Sequence, residues 1–250
     1  MNKLSVIKPY FSIITVVKND EKNIKKTINS VLKQNYKNYE YLIIDGKSTD
    51  RTVDNIKKFK NKFKLVSNKD KGIYDAMNKG IKLSKGEVIV FINSGDTFTK
   101  NALKFVKKQF DIEEKISFVF GTVKRHYTKE MIIKFGYDFK RILYNFDFAT
   151  SHSVGFFLKK KIYKKVGFYD ISFKCSADYD LYFRLFKQNI KGSSTKRKEV
   201  VGQVASGGFS STLSFFDHLF EETKIRLKNR QNFVLIILIF INAILKNIFK

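Results

Sequence analysis

Glu87-Val-Ile-Val-Phe-Ile-Asn-Ser-Gly-Asp-Thr-Phe98 is the stretch whose reading decides the fold. Its first half, Val88 to Ile92, is an unbroken run of β-branched and aromatic residues. A run of that kind suits a strand buried on both faces, as in the middle of a parallel sheet. The second half turns polar at once, with Asn93, Ser94, Gly95 and Asp96 placed where the strand leaves the sheet. In open α/β sheets ligands bind outside the carboxyl ends of the strands. An acid on a Gly-containing turn at that place can hold a divalent cation, and the cation a diphosphate. The competing reading is an ordinary Asn/Ser/Gly/Asp turn.

The same alternation extends to either side. Phe11 to Val17 reads as a first buried strand, and Asn19 or Asp20 can cap the helix marked by Ile24, Ile28, Val31 and Leu32. Tyr39 to Ile44 is a second strand and runs into Asp45-Gly46-Lys47-Ser48-Thr49-Asp50. Val53, Ile56, Phe59 and Phe63 mark a second helix, Lys64 to Ser67 a third strand, and Ile73 to Leu83 a third helix. After Phe98 a further helix carries Leu103, Val106 and Phe110 on its inner side. Strands alternating with helices imply βαβ units. Right-handed crossovers then put the polar ends of these strands on one edge, so residues 17–20, Asp45 and 93–96 are expected to meet.

The second half is less regular. Residues 117–122, 131–135, 153–158 and 200–205 read as strands, 138–151 as loop, and 177–186 as a helix with Asp178 and Asp180 near its start. Acids in a first helical turn are also what the helix dipole favours. From Leu213 onward the chain reads as helical and amphipathic. Phe233 to Leu245 is apolar except for Asn242 and is flanked by Lys228, Arg230, Lys246 and Lys250. It is too short to span a bilayer, where ~20 residues are needed. A helix lying in the membrane interface fits it, as does a tail packed on protein.

Composition sets the outer bounds. At 250 residues the chain can bury one good core with a small appendage. The single cysteine, Cys175, excludes an internal disulfide, fits a reducing compartment and is expected to be a buried, inert thiol. The net charge of +26 admits nucleic acid, an anionic membrane surface or acidic small substrates as partners. Its lysines are spread along the chain, and no zinc-ligand cysteine pattern or arginine-rich arm supports nucleic acid. No secretory leader is expected from the first ten residues.

Taken together, residues 11–17, Ser30-Val-Leu-Lys-Gln-Asn-Tyr36, Glu40-Tyr-Leu-Ile-Ile-Asp45, Ser48-Thr-Asp50, Gly72-Ile-Tyr-Asp-Ala-Met-Asn-Lys-Gly80 and Asn93-Ser-Gly-Asp96 resemble a bacterial family 2 glycosyltransferase. His152-Ser-Val-Gly-Phe-Phe157, Val166-Gly-Phe-Tyr-Asp170, Ala177-Asp-Tyr-Asp-Leu181 and Gly207-Gly-Phe-Ser210 resemble the acceptor half of members that build surface polysaccharides. The resemblance implies an α/β GT-A fold, a mostly parallel central sheet flanked by helices with a smaller mixed acceptor region; the C-terminal amphipathic helix read above lies outside it. The chain is then expected to divide into a domain over 1–212, with a nucleotide-sugar half over about 10–115 and an acceptor half over 116–212, and a helical tail over 213–250 outside the resemblance.

The resemblance also implies roles. Asp45 matches the acid that reads the nucleotide base, and Thr15 and Val17 match the strand end along base and ribose. Asp96 matches the metal ligand for Mg²⁺ or Mn²⁺, although Asn93 and Gly95 stand where common members carry further acids. Asn93 joins the donor site. Asp75 either lines that site or is a surface helix acid. Asp178 matches the general base, with Ala177 in place of the usual Glu, and Asp180 is the second choice on the acceptor side. His152 either touches acceptor or diphosphate or is structural. The implied activity is inverting transfer of one sugar, UDP-linked, to a polysaccharide or lipid-linked acceptor at the cytoplasmic face of the inner membrane. No tryptophan and no full-length span are present, unlike the processive synthases. A non-catalytic nucleotide-binding relative and a sugar-phosphate nucleotidyltransferase are the alternatives. The latter wants a Gly-rich phosphate loop that residues 16–19 do not supply.

Overall fold

A computed structural model describes residues 8–126, 130–138, 140, 144, 153–207 and 213–248. The polypeptide alternates β1 (Phe11–Val17), α1 (Ile24–Leu32), β2 (Tyr39–Asp45), α2 (Thr52–Lys57), β3 (Lys64–Ser67), α3 (Ile73–Leu83) and β4 (Val88–Phe91). Then come β5 (Thr97–Phe98), α4 (Ala102–Ile112), β6 (Phe118–Phe120), β7 (Thr122–His126) and β8 (Met131–Lys134). After a 3₁₀ turn at Ser153–Gly155 follow β9 (Phe156–Lys159), α5 (Lys160–Val166), α6 (Ala177–Lys187), β10 (Gly192–Ser194), β11 (Val200–Val204), α7 (Phe215–Lys228) and α8 (Phe233–Ile248).

Seven strands form the main sheet in the order β10-β6-β9-β4-β1-β2-β3. Its pairs are parallel except where β9 runs against β4 and β6. Strands β1 and β4 are buried along their whole length. Their alternating side chains feed two cores. Ile14 and Val16 join Met77 and Ile81 of α3 and Leu181 and Leu185 of α6 on one face. Ile13 and Val17 join Ile28 of α1 and Val106 of α4 on the other. A second sheet, β5-β11-β7-β8, packs beside this second core.

The pairing places the decisive strand ends together. Val17 is level with Asp45, and Asp45 with Ser67. On the other side of β1, Ile14 is level with Phe91. Residues 17–20, 45–50 and 93–96 therefore leave the same edge of the sheet.

Several sequence expectations shift. The predicted second helix ends at Lys57, leaving Phe59 and Phe63 outside it, and Asn61 sits at a left-handed φ of 58°. The predicted strand over 117–122 is broken at Gly121, where the chain passes from the main sheet to the second. A Cβ at Gly121 would run into the Val201 side chain. Ser153 to Gly155 is a 3₁₀ turn, so that strand starts at Phe156. Most of the predicted loop over 138–151 lies outside the described residues.

Candidate active site

The rim is stitched together by hydrogen bonds between its loops. Asn19, at φ 51°, donates its N–H to Ser48 Oγ at 2.8 Å, and Thr49 N–H donates to Asn19 Oδ1 at 2.8 Å. Asp20 N–H donates to Thr52 Oγ1 at 2.8 Å. On the opposite side, Thr27 Oγ1 of α1 donates to the Asp96 carbonyl at 2.8 Å and accepts from Gly95 N–H at 2.9 Å. One α1 hydroxyl thus fixes the polar turn after β4 against the segment that follows β1.

A cavity of about 620 Å³ opens beside this rim. It is lined by Val16, Val17, Lys18 and Asn19, by residues 70–76, and by Ile171, Phe173 and Lys174. Val17 and Asp75 are both among its lining residues. Burial pushes the Asp75 carboxyl upward, but the Lys71 N–H and the Lys79 ammonium outweigh it and hold the carboxyl below its usual range. Lys18, Lys71, Lys174, Asp70 and Tyr74 were not singled out from sequence. The lysines carried no signal among so many others. A Cβ at Gly46 would meet the Asp70 carboxylate, so this glycine permits the close approach of the two loops.

Three expected donor contacts differ in the structure. Thr15 is fully buried and shares a hydrogen bond of 2.9 Å with Tyr41 Oη, so its side chain does not reach base or ribose. Strand alternation explains this: it is one residue off from Val16 and points into the second core. Asp45 is also fully buried. Its oxygens accept from Ser48 Oγ at 2.5 Å, Ser48 N–H at 3.1 Å and Ser67 Oγ at 2.6 Å, so it orders the turn at the cavity edge. Asp96 is 7% exposed where an open rim position was expected. Its Oδ1 accepts from Ala205 N–H at 2.9 Å, and burial raises its carboxyl to about 7 against the opposing pull of that N–H and of Lys26.

The turn nonetheless keeps features of an oxygen-donor site. Asn93 Oδ1 and Ser94 Oγ are buried without a hydrogen-bond partner among the described residues. Buried polar atoms of this kind call for a partner such as water or an ion. Gly95 takes φ 97°, a backbone region that an acid at the same place would adopt only under strain. Among the described residues no cluster of three or more His, Cys, Asp or Glu side chains is poised to hold a metal. The oxygen-only set of Asp96, Asn93 and Ser94 suits a hard cation held jointly with phosphate oxygens.

Asp178, half-buried in the first turn of α6, is not among the residues lining the cavity and is linked to it through Tyr74. Tyr74, which lines the cavity, donates through Oη to Asp178 Oδ1 at 3.5 Å, and Tyr179 N–H donates at 3.0 Å. Burial raises the Asp178 carboxyl to about 7, partly offset by those donors and reinforced by the negative Glu221. Asp180, two residues on, points the other way. It is fully buried, with Oδ2 on Arg184 Nε at 2.9 Å and Lys228 Nζ at 3.1 Å and Oδ1 on Asn229 Nδ2 at 3.0 Å. All of its partners are internal, so it does not face an acceptor. His152 lies outside the described residues. Cys175 is only partly buried, and burial raises its thiol to about 12, which leaves it protonated and unreactive.

The sequence matches glycosyl transferase family 2 over residues 12–177, about two thirds of the chain. The chain belongs to that family. It is 26% identical, over 82% of its length and 80% of the relative's, to a PGL/p-HBAD biosynthesis glycosyltransferase of Mycobacterium bovis (strain BCG / Pasteur 1173P2). It is 33% identical, over 50% of its length and 49% of the relative's, to the Escherichia coli UDP-Glc:alpha-D-GlcNAc-diphosphoundecaprenol beta-1,3-glucosyltransferase WfgD. The fold is shared with S. aureus TarS 1-349 in complex with UDP-GlcNAc, at a TM-score of 0.71 and 19% identity, covering 87% of this chain and 66% of that one. It is also shared with the mannosyltransferase PcManGT from Pyrobaculum calidifontis in complex with GDP-Man and Mn²⁺, at a TM-score of 0.66 and 14% identity, covering 91% and 66%. The GT-A fold is thus common to this family 2 member and both solved structures.

Proposed function

We propose that this family 2 member is an inverting hexosyltransferase that moves one sugar from a UDP-sugar to a polysaccharide or lipid-linked acceptor in bacterial surface-glycan synthesis. The observation that carries the reading is Tyr74, which lines the open cavity and whose hydroxyl is 3.5 Å from the half-buried Asp178 carboxylate. A donor whose diphosphate lies along Lys18, Lys71 and Lys174 would present its anomeric carbon toward that carboxylate. Asp178 takes the proton of the acceptor hydroxyl as that oxygen attacks the anomeric carbon. The bond to the diphosphate breaks with its electrons leaving on the diphosphate, and a single in-line displacement inverts the centre. A carboxyl near 7 is matched to proton abstraction at neutral pH. The UDP-sugar assignment draws on the names of WfgD and the TarS complex, and the acceptor class on that of WfgD.

Asp96 and Asn93 would hold Mg²⁺ or Mn²⁺. Such an ion, when bound, offsets charge on the leaving diphosphate. The Mn²⁺ in the mannosyltransferase complex supports this use. Asp45 acts on the donor site through the turn it orders. The low exposure of Asp96 favours a second reading, a nucleotide-binding relative without turnover.

Membrane contact belongs to the same reading. No described helix is long and apolar enough to cross a membrane. Helix α8 nevertheless leaves Phe233, Val234, Ile237, Leu238, Ile241, Leu245 and Ile248 exposed, and Phe220 of α7 meets Phe240 at 6.2 Å, extending the apolar surface with Phe216. With Lys224, Arg230 and Lys246 nearby in sequence and a net charge of +26, this surface suits the interface of an anionic bilayer at the cytoplasmic face.

The test is a thermal-shift series against UDP, GDP and their sugars with and without Mn²⁺, followed by product analysis with a lipid-linked acceptor. A ligand that binds the folded state raises Tm by mass action. Stabilisation by UDP-sugars with release of UDP supports transfer, and binding without turnover on any acceptor supports the second reading.

A further inference from the structure

The N-cap residue of helix α6, Ser176, makes no side-chain capping bond. Help comes from α7. Glu221 Oε1 accepts the Lys174 N–H at 2.5 Å, and Oε2 accepts the Cys175 and Ser176 N–H groups at 3.0 Å each. Three successive amides converge on one carboxylate, and such charge-assisted bonds are the strong kind. These bonds and the Cys175 thiol, at 3.2 Å, account for Glu221 lying below its usual range although burial pushes it up.

Two helical turns later the same face of α7 engages α6 again. Lys228 and Asn229 hold Asp180, and Ile225 between them is buried in the core. Asp178 sits between these two grips. Lys174, the first residue Glu221 holds, lines the nucleotide cavity. One side chain thus fixes the short segment that joins the cavity wall to the base.

We propose that Glu221 is a positioning residue for sugar transfer, holding 174–176 so that Asp178 stands at the reacting centre. The proposal rests on the reading of Asp178 as base. Freed of Glu221, three amides would turn toward water and the start of α6 would move with them. A displacement of 1 Å can cost a reaction about 10²-fold. Glu221 acts on Asp178 in a second way that loosening alone would not reproduce. The charged and titratable groups facing Asp178 are Tyr74 of α3, Tyr169, Cys175, Tyr182 of α6 and Glu221 of α7. Among them Glu221 is the anion that disfavours a charged Asp178.

The experiment compares turnover against pH for the full chain and for Glu221→Gln, Glu221→Asp, Asn229→Ala and Asp178→Asn. Glu221→Gln is expected to lower turnover about 10–100-fold and to move the acid limb of the pH profile to lower pH. Glu221→Asp, which keeps the charge on a shorter stem, is expected to lower turnover with the limb in place, and it serves if the Gln variant does not fold. Asn229→Ala loosens the same pair of helices and should lower Tm without moving the limb. Wild-type turnover in both Glu221 variants would overturn the proposal. So would a loss of turnover in Glu221→Gln with an unmoved limb, since that marks a purely structural role. Full activity in Asp178→Asn would instead remove the base assignment itself, whatever Glu221 does.

Discussion

Tyr74 Oη stands 3.5 Å from Asp178 Oδ1, joining the first turn of α3 to the first turn of α6 across more than a hundred residues of chain. Both side chains are shifted by the shared apolar setting. Burial and the Asp178 charge push the Tyr74 phenol well above its ordinary value, and burial raises Asp178 to about 7. The phenol stays protonated and donates to the carboxylate, which leaves the carboxylate as the group able to take up a proton.

Turnover is therefore expected to rise with pH through about 7 and level off above it, because the base must be ionised. Removing the Tyr74 hydroxyl with Tyr74→Phe takes away a bond that favours the charged form. The acid limb should then move to higher pH, with turnover at pH 6 falling more than at pH 8. Initial rates across pH 5.5–9 check this.

The same group gives stability a defined pH slope. A carboxyl whose pKa is higher folded than unfolded binds more protons in the folded state between the two values. Stability is thus expected to fall as pH rises from about 4 to about 7. Asp178→Asn, neutral at every pH, should flatten that part of the curve and raise Tm at pH 8. Urea melts at pH 5 and pH 8 measure it.

Asp180 should behave as a structural acid. Its buried carboxylate balances Arg184 and Lys228. Breaking a buried pair by removing one partner costs about 3–5 kcal/mol. Asp180→Ala is expected to lose stability on that scale, while any folded fraction keeps its affinity for nucleotide. Denaturant melts with and without UDP separate the two effects.

Adding an acid to the sparse metal motif should not help. Gly95 holds φ 97°, and a left-handed backbone costs a non-glycine residue about 1–2 kcal/mol. Gly95→Asp is expected to lower Tm without tightening Mn²⁺ binding in the absence of nucleotide. Thermal melts and metal titration follow both quantities.

The apolar tail gives a separable outcome. Asn229 and Gln231 bond back to Asp180 and Arg226, so truncation should begin at Asn232 to leave those contacts intact. That truncation, or Ile237→Ser with Leu238→Ser and Ile241→Ser, should abolish flotation with anionic vesicles and leave UDP binding unchanged. Retained flotation would end the membrane assignment.

What was legible in the sequence follows the range of the forces involved. Strands β1 and β3 and helix α3 are set by local runs and by 3.6-residue spacing, and their ends were readable to the residue. The level placement of Val17 and Asp45 followed from parallel crossovers alone. The second sheet was not legible, because β11 finds β7 and β5 across long stretches of chain and each strand is short. Within the site, sequence ranked Asp178 ahead of Asp180 as the base but could not name the partners that hold each. Asp178 and Asp180 lie in the same turn of one helix, and Arg184 on that helix with Lys228 and Asn229, some fifty residues later, hold the second, while Tyr74 of α3 meets the first. Asp96 lies on the turn after β4, and Ala205 and Thr27 bond to it from elements that local pattern does not connect.

The most direct measurement is the initial rate of nucleoside diphosphate release from UDP-sugar with a lipid-linked acceptor, for the full chain and for Asp178→Asn. The account predicts acceptor-dependent release by the full chain and a loss of about 10²–10⁴-fold in the variant, with UDP affinity unchanged. Equal rates for the two would contradict it.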